Sequence, residues 1–482
     1  MSKFVLVLFV LFAVSACKSN NRIAVIDSSS ASKQTCTCES NLEWIKKTFE
    51  ENDAGFQHII EKKGQEAYDN HNQLMLEKLK STNTLTECTE LLLEWLKFFR
   101  TGHIGIELLK QAQNFSQMTE TWQGDISQFE KYIETKQEAD YEGIWEIGDG
   151  MYKIGIKKEG ENYVGFIIES TVNSWKPHMV KMKTEKNGGD VKTTFYIADH
   201  SPIESGEPLL TGKNHLDIGS QILKRLSPVF TDDPVIENYG KFRYSRNPYL
   251  DELNETTLYL RIPSFGASRK RTIDKLLVDN KDKILKTENL IIDLRNNGGG
   301  SDRSWYGLRQ FLYTDTIIRF GGEFFSTELN NKQFLDYDGN LIMRILGKRI
   351  YKKLQKRMGE FVLLPMSSTV STYQRKVVYE YPKNIGIIIN RECLSATEEF
   401  LLTANQSVKV KLFGENTMGA LDVSNLIFAD SPCKEFRLWY CFSRSLRLPE
   451  HAIDDIGIPP DYYLGNIPDY KWVENVNEIL NQ

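Results

Sequence analysis

Between residues 42 and 100 apolar positions recur three and four apart, in segments such as LEWIKKTF and ELLLEWLKFF, which predicts amphipathic helices. The pattern stops at FFRTGHIGI, where Thr101-Gly102-His103 precedes a short strand-like run. Residues 114–140 are polar and read as a helical or loose connector. The period then changes to two. YEGIWEIGDGMYKIGIKKEGENYVGFIIESTV alternates polar and apolar residues, with turn signals at Gly148-Asp149-Gly150 and Glu159-Gly160-Glu161-Asn162. That predicts hairpins and a small antiparallel β domain or half-barrel over 141–245, with Trp145 and Trp175 in its core.

From residue 256 strands and helices alternate. TLYLRIPSF, LIIDLR, NIGIIIN and VKVKLFG read as strands; RKRTIDKLLVDNKDKILK, SWYGLRQFLY and SATEEFLLTANQ read as helices. This order predicts βαβ units and a mostly parallel sheet. A basic, irregular insertion near 320–382, containing GKRIYKKLQKRMG, interrupts the order and reads most simply as a solvated helix. The expected organisation is a leader over 1–16, a tether over 17–40, a helical region over 41–140 and a β-rich domain over 141–245. A core over 246–470 and a C-terminal helix over 471–482 complete it.

The chain has 482 residues, 40% of them hydrophobic and 26% charged, enough for two or three globular domains. A net charge of -5 implies no broad nucleic-acid surface. Lys3 followed by FVLVLFVLFAVSA reads as a secretory signal, and VSAC resembles the lipobox of bacterial lipoproteins, with Cys17 as the lipidated residue. Cys36, Cys38, Cys88, Cys393, Cys433 and Cys441 remain for an oxidising compartment. Their connectivity is open, although Cys433 and Cys441 flank one strand and could pair across a bend. The chain has neither HExxH nor paired CxxC, so no metal is expected, and no cofactor either.

Two strand-to-turn units carry the chemistry. NLIIDLRNNGGGSD ends a buried strand in Gly298, Gly299 and Gly300, whose backbone N–H groups can approach a bound group. In IGIIINRECLSATEEF, Ser395 stands where a helix begins. There it is either a cap paired with Glu398 or a nucleophile, with the Ala396 amide free to bind an oxyanion. One unit supplies donors and the other a nucleophile, which points to acyl transfer.

These segments resemble the core of the C-terminal-processing and tricorn-type serine peptidases (clan SK). The Asp-Leu-Arg-x-Asn-x-Gly-Gly pattern is matched by Asp293, Leu294, Arg295, Asn297, Gly298 and Gly299. The Ser-Ala-x-Glu turn is matched by Ser395, Ala396 and Glu398, and GENTMG at 414–419 follows. Gly457, Pro460 and Asp461 close the series, so the resemblance covers roughly 255–465. It implies an α/β catalytic core of ClpP/crotonase-like type, joined here to the helical region and the β domain. Processing peptidases place a lysine base where this chain has Ala420. The tricorn-like branch instead implies His103 as base, with His451 a competitor by position alone, and Asp454 or else Asp455 as the third group. Gly102 stands where that branch has a polar residue. Gly298, Gly299 and Ala396 are the implied oxyanion donors.

The expected protein is a lipid-anchored serine endopeptidase of the bacterial cell envelope that acts on peptides or unfolded proteins. A non-catalytic peptide-binding lipoprotein on the same fold and a crotonase-like acyl-CoA enzyme are the rivals. No PDZ pattern is found.

Overall fold

A computed structural model describes residues 36–109, residues 120–335 apart from 149, 188, 189, 199 and 220, and residues 341–482 apart from 365 and 366. The expected leader and Cys17 lie outside the described residues. No helix among the described residues is long and apolar enough to cross a membrane. The chain divides into two compact units, one made of residues 1–112 and 246–482 and the other of 113–245.

The first unit holds a six-stranded sheet in the order Tyr249–Asn254, Thr257–Arg261, Asn289–Asp293, Asn384–Ile389, Val410–Gly414, Tyr462–Tyr463. Only the first pair is antiparallel. The central strands are buried on both faces, which is why they read as unbroken apolar runs. Leu258, Leu290, Ile292, Ile385 and Ile387 pack against helices Lys270–Asp279 and Ala396–Ala404 on one side. Tyr259, Ile291, Ile388 and Phe413 pack against the C-terminal helix Trp472–Leu480 on the other.

The same unit has a five-stranded antiparallel sheet. Its strands are Gly105–Leu108, Gly322–Phe325, Phe361–Val362, Val423–Asp430 and the long Phe436–Ser445, to which three of the others pair. Helices Cys38–Asn52 and Leu85–Lys97 share one hydrophobic core with this sheet, and helix Leu341–Leu354 of the insertion joins it through Ile350 and Leu354. The helical region and the insertion, separate segments in the sequence, therefore bury their apolar faces on a common core. The insertion helix buries Gly347, Ile350 and Leu354 while its lysines stay exposed.

Disulfides join Cys36 to Cys433 and Cys38 to Cys88. Pairing of Cys433 with Cys441 is thereby corrected: Cys441 is a free, buried thiol. Its amide donates to Asp53 and its carbonyl accepts from Ala54, so it is packed inside the unit, while Cys433 is taken up by Cys36.

The second unit is a nine-stranded antiparallel sheet running from Pro202–Ser205 at one edge to Leu209–Thr211 at the other. Helix Ile126–Glu134 covers one face through Phe129 and Ile133, and Trp122 stacks on Phe166 at 3.7 Å. Part of the polar stretch read as a connector therefore belongs to this unit, its few apolar residues being spent on one sheet face. Trp145 and Trp175 are buried core residues, as expected.

Candidate active site

Strand Asn289–Asp293 runs directly into the glycine turn. Asp293 and Arg295 form a buried ion pair at 2.6 Å, and Arg295 also donates to the carbonyl of Asp469. Burial pushes the Asp293 carboxyl up, but Arg295 and Arg261 outweigh it and hold the group below its ordinary value. This part of the motif is structural, because both charges are consumed inside it.

Asn297 ties the two turns together. Its Nδ2 donates to the Ile262 carbonyl; its Oδ1 accepts from the amides of Phe265 and Gly299 and from Thr397 Oγ1, in the first turn of the serine helix. Gly299 has φ +84°, and a Cβ there would lie 2.9 Å from Ser395 Cβ and 2.6 Å from the Leu394 carbonyl. The glycine turn thus approaches Ser395 as only glycine allows. With its N–H engaged by Asn297, Gly299 offers no free donor. The amides of Gly298 and Ala396 bond no protein group among the described residues.

Ser395 begins helix Ala396–Ala404 at φ 60° and ψ −123°. The caps Thr37 and Thr84 of two other helices are extended, as N-caps ordinarily are. A serine held at positive φ is strained, and strain of this kind is found where a side chain must be aimed. Glu398 forms its half of the capping box by accepting from the Ser395 amide. It also accepts from Thr417 Oγ1 and the amides of Gly419 and Ala420, so one buried carboxylate braces the serine turn against the following loop. Burial raises the pKa of Glu398, opposed by these donors.

The loop after GENTMG brings His103 near. The Ala420 carbonyl accepts the Ser395 amide at 3.0 Å. On its other side Ala420 meets Gly102, where an added Cβ would lie 2.2 Å from Ala420 Cβ. The two departures from the family pattern are therefore one contact: alanine at 420 leaves room for a close-packed glycine beside the histidine. His103 Nδ1 lies 2.8 Å from the Val423 carbonyl, which can only accept, so Nδ1 carries the proton and Nε2 is left as the basic atom. Burial lowers the imidazole pKa, the Val423 bond opposes that, and the Arg100 charge lowers it further. His103 itself sits at φ 56°. Arg100 supports it by donating to the carbonyls of Gly102 and His103 while paired with buried Asp53 at 2.6 Å.

No hydrogen bond joins Ser395 to His103 among the described residues. Asp454 directs its oxygens at the amides of Leu421, Asp422 and Val423. It thereby holds the segment whose carbonyl orients the imidazole, and among the described residues it makes no bond to the ring. Burial and the Asp422 charge push its pKa up to about 6. Asp455 accepts from the amide and hydroxyl of Thr101. His451 is exposed, with its ring 5.9 Å from that of Phe320. Sequence reasoning missed Val423, Arg100 and Asp53. The carbonyl of Val423 is invisible to a search of side chains, and Arg100 was signalled only by its place beside Thr101-Gly102-His103.

Residues 256–464 match the family described as Peptidase family S41. The match spans the core of the chain, less than half of its length, and the core is similar to that family over those residues. That match supports a serine peptidase, a hydrolase, with peptides or proteins as its substrate class. No curated protein matches it significantly. Among solved structures, mature CPAF complexed with lactacystin is 12% identical at a TM-score of 0.49, covering 92% of this chain and 98% of its own. A putative peptidase from Parabacteroides merdae is 13% identical at 0.42, covering 92% and 97%. The photosystem II D1 C-terminal processing protease is 10% identical at 0.36, covering 92% and 98%. The family match carries the assignment.

Proposed function

We propose that the S41 core cleaves peptide bonds with Ser395 as nucleophile and His103 as base, on a ClpP/crotonase-like scaffold. The observation that carries this reading is the convergence on Ser395: Gly299 lies against its Cβ, and Ala420 bonds its amide while touching the residue before His103. Substrate binding completes the Ser395–His103 bond, as catalytic hydrogen bonds often tighten only in the complex. Oγ then attacks the scissile carbonyl while Nε2 takes its proton. The amides of Gly298 and Ala396 hold the oxyanion, and the imidazolium returns the proton to the leaving amine. Water hydrolyses the acyl-enzyme by the same route. The acceptor at Nδ1 is the Val423 carbonyl, and Asp454 acts through it as a positioning residue.

The enzyme is further proposed to be an extracytoplasmic lipoprotein anchored through Cys17, a reading supported by the leader pattern and by two disulfides. Incubation with a fluorophosphonate followed by mass spectrometry tests the chemistry; an adduct on Ser395 is expected, and no adduct on the folded protein sinks the catalytic reading.

Activity should fall on the acid side. His103 must be neutral to act, and its lowered pKa places its protonation below the ordinary imidazole value of 6.5. Asp454 gains its proton near 6, and neutralisation weakens its hold on three amides. Two ionisations thus shape the acid limb of kcat/KM. In Asp454→Asn one amide group faces the Val423 N–H, so kcat should drop about tenfold and the limb should become a single ionisation. An unchanged two-proton limb would remove Asp454 from this account.

The contact of Gly102 with Ala420 gives a second test. Gly102→Ala should displace His103 and lower kcat about a hundredfold. Ala420→Gly in the same chain opens the space and should restore most of the loss. A double variant as slow as Gly102→Ala would show that the contact is not what places the histidine.

A further inference from the structure

Helix Leu341–Leu354 and the turn after it hold the most one-sided charge of the chain. Arg344, Lys348, Arg349, Lys352, Lys353 and Lys356 are all exposed, and residues 341–359 contain no acidic residue although the whole chain is net -5. None of these six forms an ion pair among the described residues; Arg357, which follows, pairs with Glu360. The inward face is fixed by Gly347, Ile350 and Leu354, so the cations are held along the opposite face of a rigid helix. Three large apolar residues stand exposed at one end of that face: Leu341 at 71%, Ile342 at 67% and Ile345 at 45%. A basic face ending in an exposed aliphatic cluster matches an interfacial helix, whose cations meet lipid phosphates while its apolar residues enter the headgroup–acyl boundary.

We propose that this helix docks the enzyme onto an anionic phospholipid bilayer, with Leu341, Ile342 and Ile345 inserted and the lysines and arginines on the headgroups. The contact does not depend on the peptidase chemistry or on lipidation of Cys17. It would hold the insertion helix, and with it the core it shares, against the membrane surface. An acidic polypeptide or a nucleic acid would satisfy the cations but would leave the aliphatic cluster without a partner.

The test uses the chain from Lys18 onward, which omits the expected leader and the lipid site at Cys17. Cosedimentation is compared for vesicles of phosphatidylcholine alone and vesicles with about 30% phosphatidylglycerol, where at least about tenfold stronger binding is expected. Arg344→Glu, Lys348→Glu, Arg349→Glu and Lys352→Glu together should lower that binding about a hundredfold or more. Leu341→Ser, Ile342→Ser and Ile345→Ser together should abolish the part that survives high salt. All seven positions are exposed, and an unchanged melting temperature confirms folding of both variants. Equal binding to the two vesicle types, or binding untouched by either variant, overturns the proposal. Tighter binding to poly-glutamate or duplex DNA than to the charged vesicles overturns it in favour of a soluble polyanion.

Discussion

Ser395→Ala is expected to lose roughly 10⁴ to 10⁶ of kcat on an unfolded protein substrate, leaving only what the Gly298 and Ala396 amides supply. Fluorophosphonate labelling should vanish with it. The backbone makes a sharper test available. At φ 60° and ψ −123° Ser395 occupies a conformation that glycine adopts with far less strain. Ser395→Gly should therefore be inactive and yet more stable than the wild type by about 1 kcal/mol, read as a higher denaturant midpoint at unchanged m-value. Opposite signs for activity and stability would mark the residue as held for function. A serine serving only as a helix cap behaves otherwise: its loss lowers stability and leaves hydrolysis intact. If Ser395→Gly is both destabilised and active, the nucleophile lies elsewhere.

The two turns were legible in the sequence because their chemistry is local. A buried strand ending in three glycines and a serine at a helix start each occupy fewer than about fifteen residues, and secondary-structure periodicity suffices to place them. The parallel sheet was legible for the same reason. The partnership between distant segments was not. Cys433 forms its disulfide with Cys36 and Cys441 stays free, a choice made by packing across the fold that strand proximity does not report. Asp454 stands close to the site, as the family pattern implies, but its oxygens turn to three backbone amides. That left the imidazole to a main-chain carbonyl, an acceptor every residue possesses and no motif marks. Glu398 shows the converse. Its spacing from Ser395 predicted a capping box, and the structure adds three further donors from a loop about twenty residues on. The local signal was right and incomplete, because a buried carboxylate gathers donors from whatever packs around it.

The second large effect is expected at the Arg100–Asp53 pair. Both side chains are buried, and Asp53 also accepts from the amides of Gly55 and Cys441. Removing one partner strands a charge in the interior, so Arg100→Met or Asp53→Leu should each destabilise the fold by about 3–5 kcal/mol, measured by denaturant unfolding. The double replacement leaves no buried charge and should recover a large share of that loss, since apolar groups often substitute for a buried pair at little net cost. Activity should not return with stability. Arg100 is the donor to the carbonyls of Gly102 and His103, and no apolar side chain can hold the histidine at φ 56° by the same means. A stable double variant with kcat reduced about a hundredfold or more would therefore separate the two roles of the pair. A double variant regaining both stability and full kcat would mean that Ala420 and Val423 suffice to place the imidazole, and that Arg100 serves the fold alone.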